Sequence, residues 1–223
     1  MKITAVKYAE SVLPESWIFK NGDAQKKLPI VFLIYFIKTQ DKLILVDAGC
    51  ESMPDFNMKN FIGPIKALEN IGVCADDITD LIITHSHHDH IECARYFKNA
   101  LIYIQQDEFE MGRQYLNDCK KIKTFADEYS VCSDVKIVKI GGHSKGSCVV
   151  EAQIGDKSYV ITGDECYHKK CLDEHILSGA PYNEEKNREF IDKYSSARYV
   201  PLVCHDPYNN TPTKEMADII FFV

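Results

Sequence analysis

The sequence lacks the features by which nucleic-acid-binding and membrane-surface proteins are recognised. It has no long run of lysine and arginine, and its 223 residues carry a net charge of −7, from 26 Lys and Arg against 33 Asp and Glu. Nucleic-acid backbones and anionic membranes are both bound by clusters of positive charge. We therefore expect a small molecule as the partner, and neither a nucleic acid nor a membrane.

Long apolar runs are also absent. The longest covers residues 30–37, whereas a membrane-spanning helix needs about 20 residues. No uninterrupted apolar stretch follows Met1, so no secretory signal is predicted. The nine cysteines are odd in number and evenly scattered, which favours reduced thiols over a disulfide framework. These observations predict a cytoplasmic protein.

No internal repeat and no linker rich in Pro, Gly or Ser divides the chain. Hydrophobic residues make up 45% of the sequence and aromatic residues 11%, which is ample for a sizeable core. The simplest prediction is a single domain over residues 1–223.

Apolar runs and turn residues predict alternating strands and helices. The predicted strands cover residues 30–37, 43–46, 81–84, 101–104, 135–140, 148–154, 158–162 and 199–203. The predicted helices cover residues 60–71, with a true start near Pro64, then 105–116, and 184–194 with Asn183 as N-cap.

Polar residues of metal-binding type repeatedly follow the end of a predicted strand. These are Asp47, His85, His143, Asp164 and His205. Strand ends that converge on one edge of a sheet would gather these side chains into a single cleft.

The sharpest motif is His-Ser-His-His-Asp-His at residues 85–90, which fits the pattern H-x-H-x-D-H. Neutral imidazoles and carboxylates are ligands that Zn²⁺ and Fe²⁺ prefer. Side chains at positions i and i+2 of an extended segment share a face. His85 and His87 could therefore hold one ion, while Asp89 and His90 point elsewhere and could hold a second.

Five elements of the sequence together resemble the metallo-β-lactamase superfamily, and they occur in the order typical of that family. They are Val46-Asp47-Ala48-Gly49, the H-x-H-x-D-H motif, residues 142–147 (Gly-His-Ser-Lys-Gly-Ser), Thr162-Gly163-Asp164, and the final His205. The resemblance implies an α/β (α+β) fold, an αββα sandwich of two mixed sheets flanked by helices. It implies a first metal held by His85, His87 and His143, a second held by Asp89, His90 and His205, and Asp164 bridging the two.

A finer likeness concerns Tyr167, three residues after Asp164. The N-acyl homoserine lactonases of this superfamily carry a tyrosine there that contacts the lactone carbonyl. The resemblance then implies a dinuclear hydrolase in which a metal-bound hydroxide attacks the carbonyl of a small ester, lactone, thioester or amide. Tyr167 would donate to the developing oxyanion and Asp89 would deliver a proton to the leaving oxygen. The two divalent ions would be zinc, with iron or manganese as alternatives, and Asp47 would orient a ligand imidazole.

Alternatives remain open at this point. An iron-dependent oxidoreductase, of the diiron or persulfide dioxygenase type, could use the same fold, and so could a non-catalytic binding protein. Tyr167 could instead be a core or lid residue. Residues 91–94, Ile-Glu-Cys-Ala, replace the small residue and Gly-Gly of many relatives, which narrows the cleft, although Glu92 is better explained as a first-turn residue of a helix. Cys166, His168 and Cys171 are disfavoured as a zinc site because no second ligand pair follows.

Overall fold

The computed structural model describes residues 1–54, 57–207 and 219–222, the last four by their backbone. In chain order, the strands are β1 Lys2–Pro14, β2 Lys27–Lys38, β3 Leu43–Val46, β4 Asp80–Ile83, β5 Leu101–Gln105, β6 Ile122–Phe125, β7 Glu128–Cys132, β8 Val135–Lys139, β9 Cys148–Ile154, β10 Lys157–Ile161, β11 Tyr199–Leu202 and β12 Ile219–Phe222. The α-helices are α1 Glu15–Ile18, α2 Pro64–Asn70, α3 His88–Ile91, α4 Gln106–Gly112, α5 Lys170–Asp173 and α6 Glu184–Tyr194.

The strands form two mixed sheets. The seven-stranded sheet has the order β12-β1-β2-β3-β4-β5-β6, and the five-stranded sheet has the order β11-β10-β9-β8-β7. In the larger sheet β3 to β6 run parallel, while β2 and β3 form an antiparallel hairpin. In the smaller sheet β7 to β10 are antiparallel and β11 joins β10 in parallel. Two mixed sheets with helices are the α+β class that the sequence predicts.

The contacts within the chain divide it into two compact units. The first unit comprises Met1–Ser11, Val31–Phe125 and Asn210–Val223, and the second comprises Val12–Ile30 and Ala126–Asn209. The single domain over residues 1–223 stays a prediction. No helix in the described ranges has both the length and the apolar character needed to cross a membrane.

In the first unit, parallel strands bring two chain segments to one sheet edge. Every residue of β4 is buried, as expected for a strand that lies between two parallel neighbours. Val46, at the end of β3, pairs with Ile82 of β4. Because the two strands are parallel and in this register, the residues after each strand, Asp47 and Thr84, emerge side by side.

In the second unit, three strands end at a common edge. Ile161 of β10 pairs with Leu202 of the parallel strand β11. Since β9 is antiparallel to both β8 and β10, β8 runs in the same direction as β10. The segments that follow β8, β10 and β11 therefore leave the sheet at one edge. Phe190, Ile191 and Tyr194 form the buried face of α6.

The structure confirms the predicted strands and the positions of the predicted helices. Helix α2 begins at Pro64, and α6 spans the predicted residues, with the Asn183 side chain accepting from the Lys186 N–H at 3.1 Å. The predicted helix over 105–116 is shorter, because α4 ends at Gly112 and a 3₁₀ turn, Arg113–Tyr115, follows. No strand is predicted from the sequence at the positions of β1, β6, β7 and β12.

Candidate metal centre

The first unit places four predicted ligands around one turn. His85 follows β4 and is buried, His87 is exposed, and Asp89 and His90 lie on α3. The His85 ring centroid is 4.6 Å from that of His87 and 4.1 Å from that of His90. Asp89 Oδ2 is 3.5 Å from His90 Nε2. Within the first unit, the motif therefore brings its imidazoles and the Asp89 carboxylate close together.

Asp47 is a buried residue that is hydrogen-bonded to both ends of this turn. It is 1% exposed and adopts a positive φ of 62°. Its Oδ1 accepts from the Thr84 N–H at 2.8 Å, while its Oδ2 accepts from the Thr84 hydroxyl at 2.9 Å and lies 2.8 Å from His90 Nδ1. Because a carboxylate only accepts, His90 Nδ1 carries the hydrogen and Nε2 carries the lone pair.

The same reasoning extends to His85. Its Nδ1 is 3.1 Å from the Thr84 hydroxyl oxygen. The only hydrogen of that hydroxyl is donated to Asp47, so the oxygen accepts from His85 Nδ1–H. His85 and His90 thus share one tautomer, in which Nε2 is the atom able to bind a metal. In metal sites, a carboxylate that is hydrogen-bonded to the second ring nitrogen of a histidine ligand fixes the tautomer and orientation of that histidine in this way.

Replacement of Asp47 by alanine is expected to weaken metal binding by about 10- to 100-fold, the usual effect of losing an outer-shell partner. The substitution removes the acceptor for His90 and for both Thr84 donors. Competition with a chromophoric chelator measures the Zn²⁺ affinity, and circular dichroism checks the fold.

The matched control is Asp80→Asn, which alters an equally buried carboxylate at the opposite end of β4. Asp80 is bonded to Lys42 and Tyr103 and touches no predicted ligand. Its variant should bind zinc like the wild type. Equal zinc affinity in folded Asp47→Ala and wild-type protein would exclude the orienting role of Asp47.

Glu108 is another buried carboxylate of the first unit, and it was not predicted from the sequence. Glu108 of α4 is 0% exposed, and its Oε2 accepts from the Ser86 N–H at 2.8 Å and from the Ser86 hydroxyl at 2.6 Å. Ser86 lies between His85 and His87, so Glu108 fixes the backbone that carries both. A single glutamate in a predicted helix gives no sequence signal for this contact.

Two further residues of the turn have local roles. His88 Nδ1 lies 3.1 Å from the Tyr115 hydroxyl. Glu92 stands in the first turn of a 3₁₀ helix and accepts from the Glu51 N–H at 2.8 Å and from Arg95. Burial opposes its ionisation, but these bonds outweigh burial and lower the pKa of Glu92. Glu92 thus stands in the first turn of a helix, as predicted.

The second unit presents the remaining three predicted ligands. Asp164 Oδ2 lies 3.6 Å from His143 Nε2, and Asp164 Oδ1 lies 3.1 Å from His205 Nε2. The three side chains are 3%, 8% and 4% exposed respectively. Asp164 therefore directs one carboxylate oxygen towards each imidazole, which is the arrangement required of a bridging ligand.

Tyr167 lies beside these ligands. Its ring stacks on His205 with centroids 5.2 Å apart and planes at 20°, and it meets His143 edge-on at 6.0 Å. The side chain is only partly buried. The phenol is therefore held next to the ligand cluster of the second unit.

The donor atoms suit divalent transition metals. Five imidazoles and two carboxylates are available. Within each unit, pairs of ligand atoms lie no more than 4.8 Å apart. These pairs are His85 with His87, Asp89 with His90, and His143 with Asp164. Such nitrogen and oxygen donors fit zinc, iron or manganese. Neither candidate ligand group found in the described ranges includes Cys166, His168 or Cys171.

Comparison with known proteins identifies the family. A model described as the metallo-beta-lactamase superfamily matches residues 33–106. A probable metallo-hydrolase of Methanocaldococcus jannaschii is 31% identical over 163 residues, which are 73% of this chain and 70% of that protein. The chain belongs to the metallo-β-lactamase superfamily. This confirms the family resemblance and, with it, the predicted enzyme class of metal-dependent hydrolase.

Lactonases of this superfamily are also similar. An N-acyl homoserine lactonase of Bacillus thuringiensis is 26% identical over 179 residues, 68% of this chain and 70% of that protein. A solved N-acyl homoserine lactone hydrolase, with the product N-hexanoyl-L-homoserine at its catalytic metal centre, matches with a TM-score of 0.81 at 21% identity, covering 93% of this chain and 94% of the other. This likeness confirms the predicted metallo-β-lactamase fold.

Proposed function

We propose that the ligand groups of the two units meet in one dinuclear centre that hydrolyses a small ester, lactone, thioester or amide. The first ion would be held by His85, His87 and His143, the second by Asp89, His90 and His205, with Asp164 between them. The observation that carries the proposal is the Asp164 carboxylate, which faces His143 with one oxygen and His205 with the other.

The chemistry of such a centre needs no serine or cysteine nucleophile. Two divalent ions bound there would lower the pKa of water towards about 7 and polarise a carbonyl oxygen. The protein's own contribution is to hold His85 and His90 in one tautomer, through their hydrogen bonds with Thr84 and Asp47. Zinc is the metal we propose, since imidazole-rich sets with carboxylates suit it well.

Two side chains would act on the substrate. The Tyr167 hydroxyl would donate a hydrogen bond to the oxygen on which negative charge develops, a contribution of about 2.7–4 kcal/mol when the geometry is favourable. The Asp89 carboxylate, 11% exposed beside His90, would take up a proton from the attacking water and deliver it to the leaving oxygen, which departs as a hydroxyl group. Lactones are the first substrates to test because similar proteins are N-acyl homoserine lactonases.

We also propose a cytoplasmic location and a small-molecule substrate. No disulfide joins any of the nine cysteines, all of which lie within the described ranges. Reduced thiols are typical of the cytosol.

The test is turnover by protein loaded in turn with Zn²⁺, Mn²⁺ and Fe²⁺, against a panel of N-acyl homoserine lactones, simple esters, thioesters and amides. We expect hydrolysis of at least one class by the zinc form and none by chelator-treated protein. Oxygen consumption by the iron form, without hydrolysis, would favour the oxidoreductase alternative. No turnover with any metal would contradict the proposed activity.

A further inference from the structure

Glu165 directly follows Asp164 in the sequence and takes no part in the proposed hydrolysis. Its side chain is 0% exposed. Oε1 accepts from the Gly142 N–H at 3.1 Å, from the His143 N–H at 3.2 Å and from the Ser147 hydroxyl at 2.5 Å. Three donors of one loop, including the amide of a proposed metal ligand, therefore converge on a single oxygen.

The other side of Glu165 is tied to α6. Asn187 Nδ2 donates to the Glu165 carbonyl oxygen at 2.7 Å and lies 3.4 Å from Glu165 Oε2. Asn187 is itself fully buried, and its Oδ1 accepts from the Ser178 N–H at 3.1 Å. Glu165 is thus hydrogen-bonded both to the loop that contains His143 and to helix α6 of the same unit.

Gly142 allows the close approach that these bonds need. A Cβ atom at this position would lie 2.3 Å from Glu165 Oε2 and 2.9 Å from the Asn187 backbone nitrogen. Since both distances are far below van der Waals contact, any other residue would push the carboxylate out of its place. The sequence shows the Gly141-Gly142 pair, but nothing in it identifies the carboxylate against which the loop packs.

Burying a carboxylate costs free energy that an apolar side chain would avoid. The hydrogen bonds of Glu165 link three parts of the second unit: the loop that contains His143, the turn that contains Asp164, and helix α6. We propose that Glu165 is a positioning residue, whose carboxylate holds the residue 142–147 loop so that His143 and Asp164 are presented together to the metal. The proposal rests on the proposed dinuclear centre.

The experiment compares Zn²⁺ binding by wild-type protein, Glu165→Ala and Glu165→Gln, using competition with a chromophoric chelator. Alanine removes the acceptor of the loop, so we expect zinc affinity to fall by about 10- to 100-fold, as for other outer-shell partners. Glutamine retains a carbonyl oxygen in the same place and should lose less than about tenfold. The visible spectrum of the Co²⁺-loaded protein reports the ligand field of the metal. It should change more in Glu165→Ala than in Glu165→Gln.

Glu151→Ala is the control for a purely structural effect. Glu151 lies in the same unit, on β9, and is bonded to Tyr194 and Lys193 rather than to a ligand loop. Its loss should lower stability without changing zinc affinity. If Glu165→Ala does not fold, Gly142→Ala replaces it, because the added methyl group displaces the same carboxylate.

Two outcomes overturn the inference. Wild-type zinc affinity in folded Glu165→Ala, or in folded Gly142→Ala, would exclude a positioning role. An equal loss in Glu165→Ala and Glu151→Ala would show a general effect of stability. A wild-type protein that binds no zinc would instead overturn the proposed function, which separates the two failures.

Discussion

Alanine at His87 or at Asp164 is expected to remove bound metal and hydrolytic activity together, each by about 100-fold or more, beyond the usual effect of an outer-shell change. His87 is exposed and His85 is its ring neighbour at 4.6 Å, so its loss should not disturb the core. Asp164 contacts both His143 and His205. Elemental analysis of the purified variants measures the metal, and turnover of the substrate found for the wild type measures activity.

The control for these variants is His175→Asn. His175 is an exposed histidine with a φ of 53°, a conformation that asparagine tolerates better than alanine. This variant should keep its metal and its activity. Full metal occupancy in His87→Ala or Asp164→Ala would show that the residue is not a ligand.

Tyr167→Phe is expected to lower kcat by about 10²- to 10³-fold, the usual effect of removing one oxyanion donor. The substitution keeps the ring that stacks on His205 and removes only the hydroxyl. Metal content should therefore stay at the wild-type level. Steady-state kinetics together with elemental analysis of the same preparation test both parts of the expectation.

Tyr182→Phe is the matched control, because Tyr182 is 65% exposed in the same unit and loses the same hydroxyl group. Its kcat should be unchanged. Turnover by Tyr167→Phe equal to that of the wild type would remove Tyr167 from the mechanism and support the alternative of a lid or packing residue.

The site could be predicted from the sequence wherever its residues are marked by local pattern. The H-x-H-x-D-H motif is contiguous, and Asp47 comes directly after an apolar strand, so both were visible before the fold was known. The hydrogen bonds of Thr84 to Asp47 then follow from the parallel register of β3 and β4. Adjacent parallel strands make such an outcome predictable, because their carboxyl ends share an edge.

Glu108 and Glu165 could not be predicted in the same way. Both bind backbone N–H groups, which every non-proline residue possesses, so the partner leaves no trace in the sequence. Strand β1 could not be predicted from its sequence pattern for a different reason. Lys7 and Glu10 interrupt its apolar pattern, and only the structure shows that they form an ion pair at 2.7 Å.

The most direct test is an anomalous-difference map from crystals of the zinc-loaded protein. We expect two peaks about 3.5–4 Å apart, one against His85, His87 and His143 and the other against Asp89, His90 and His205, with Asp164 reaching both. A map with no peak at these side chains, or one in which the ligand groups of the two units bind separate and distant ions, would contradict this expectation.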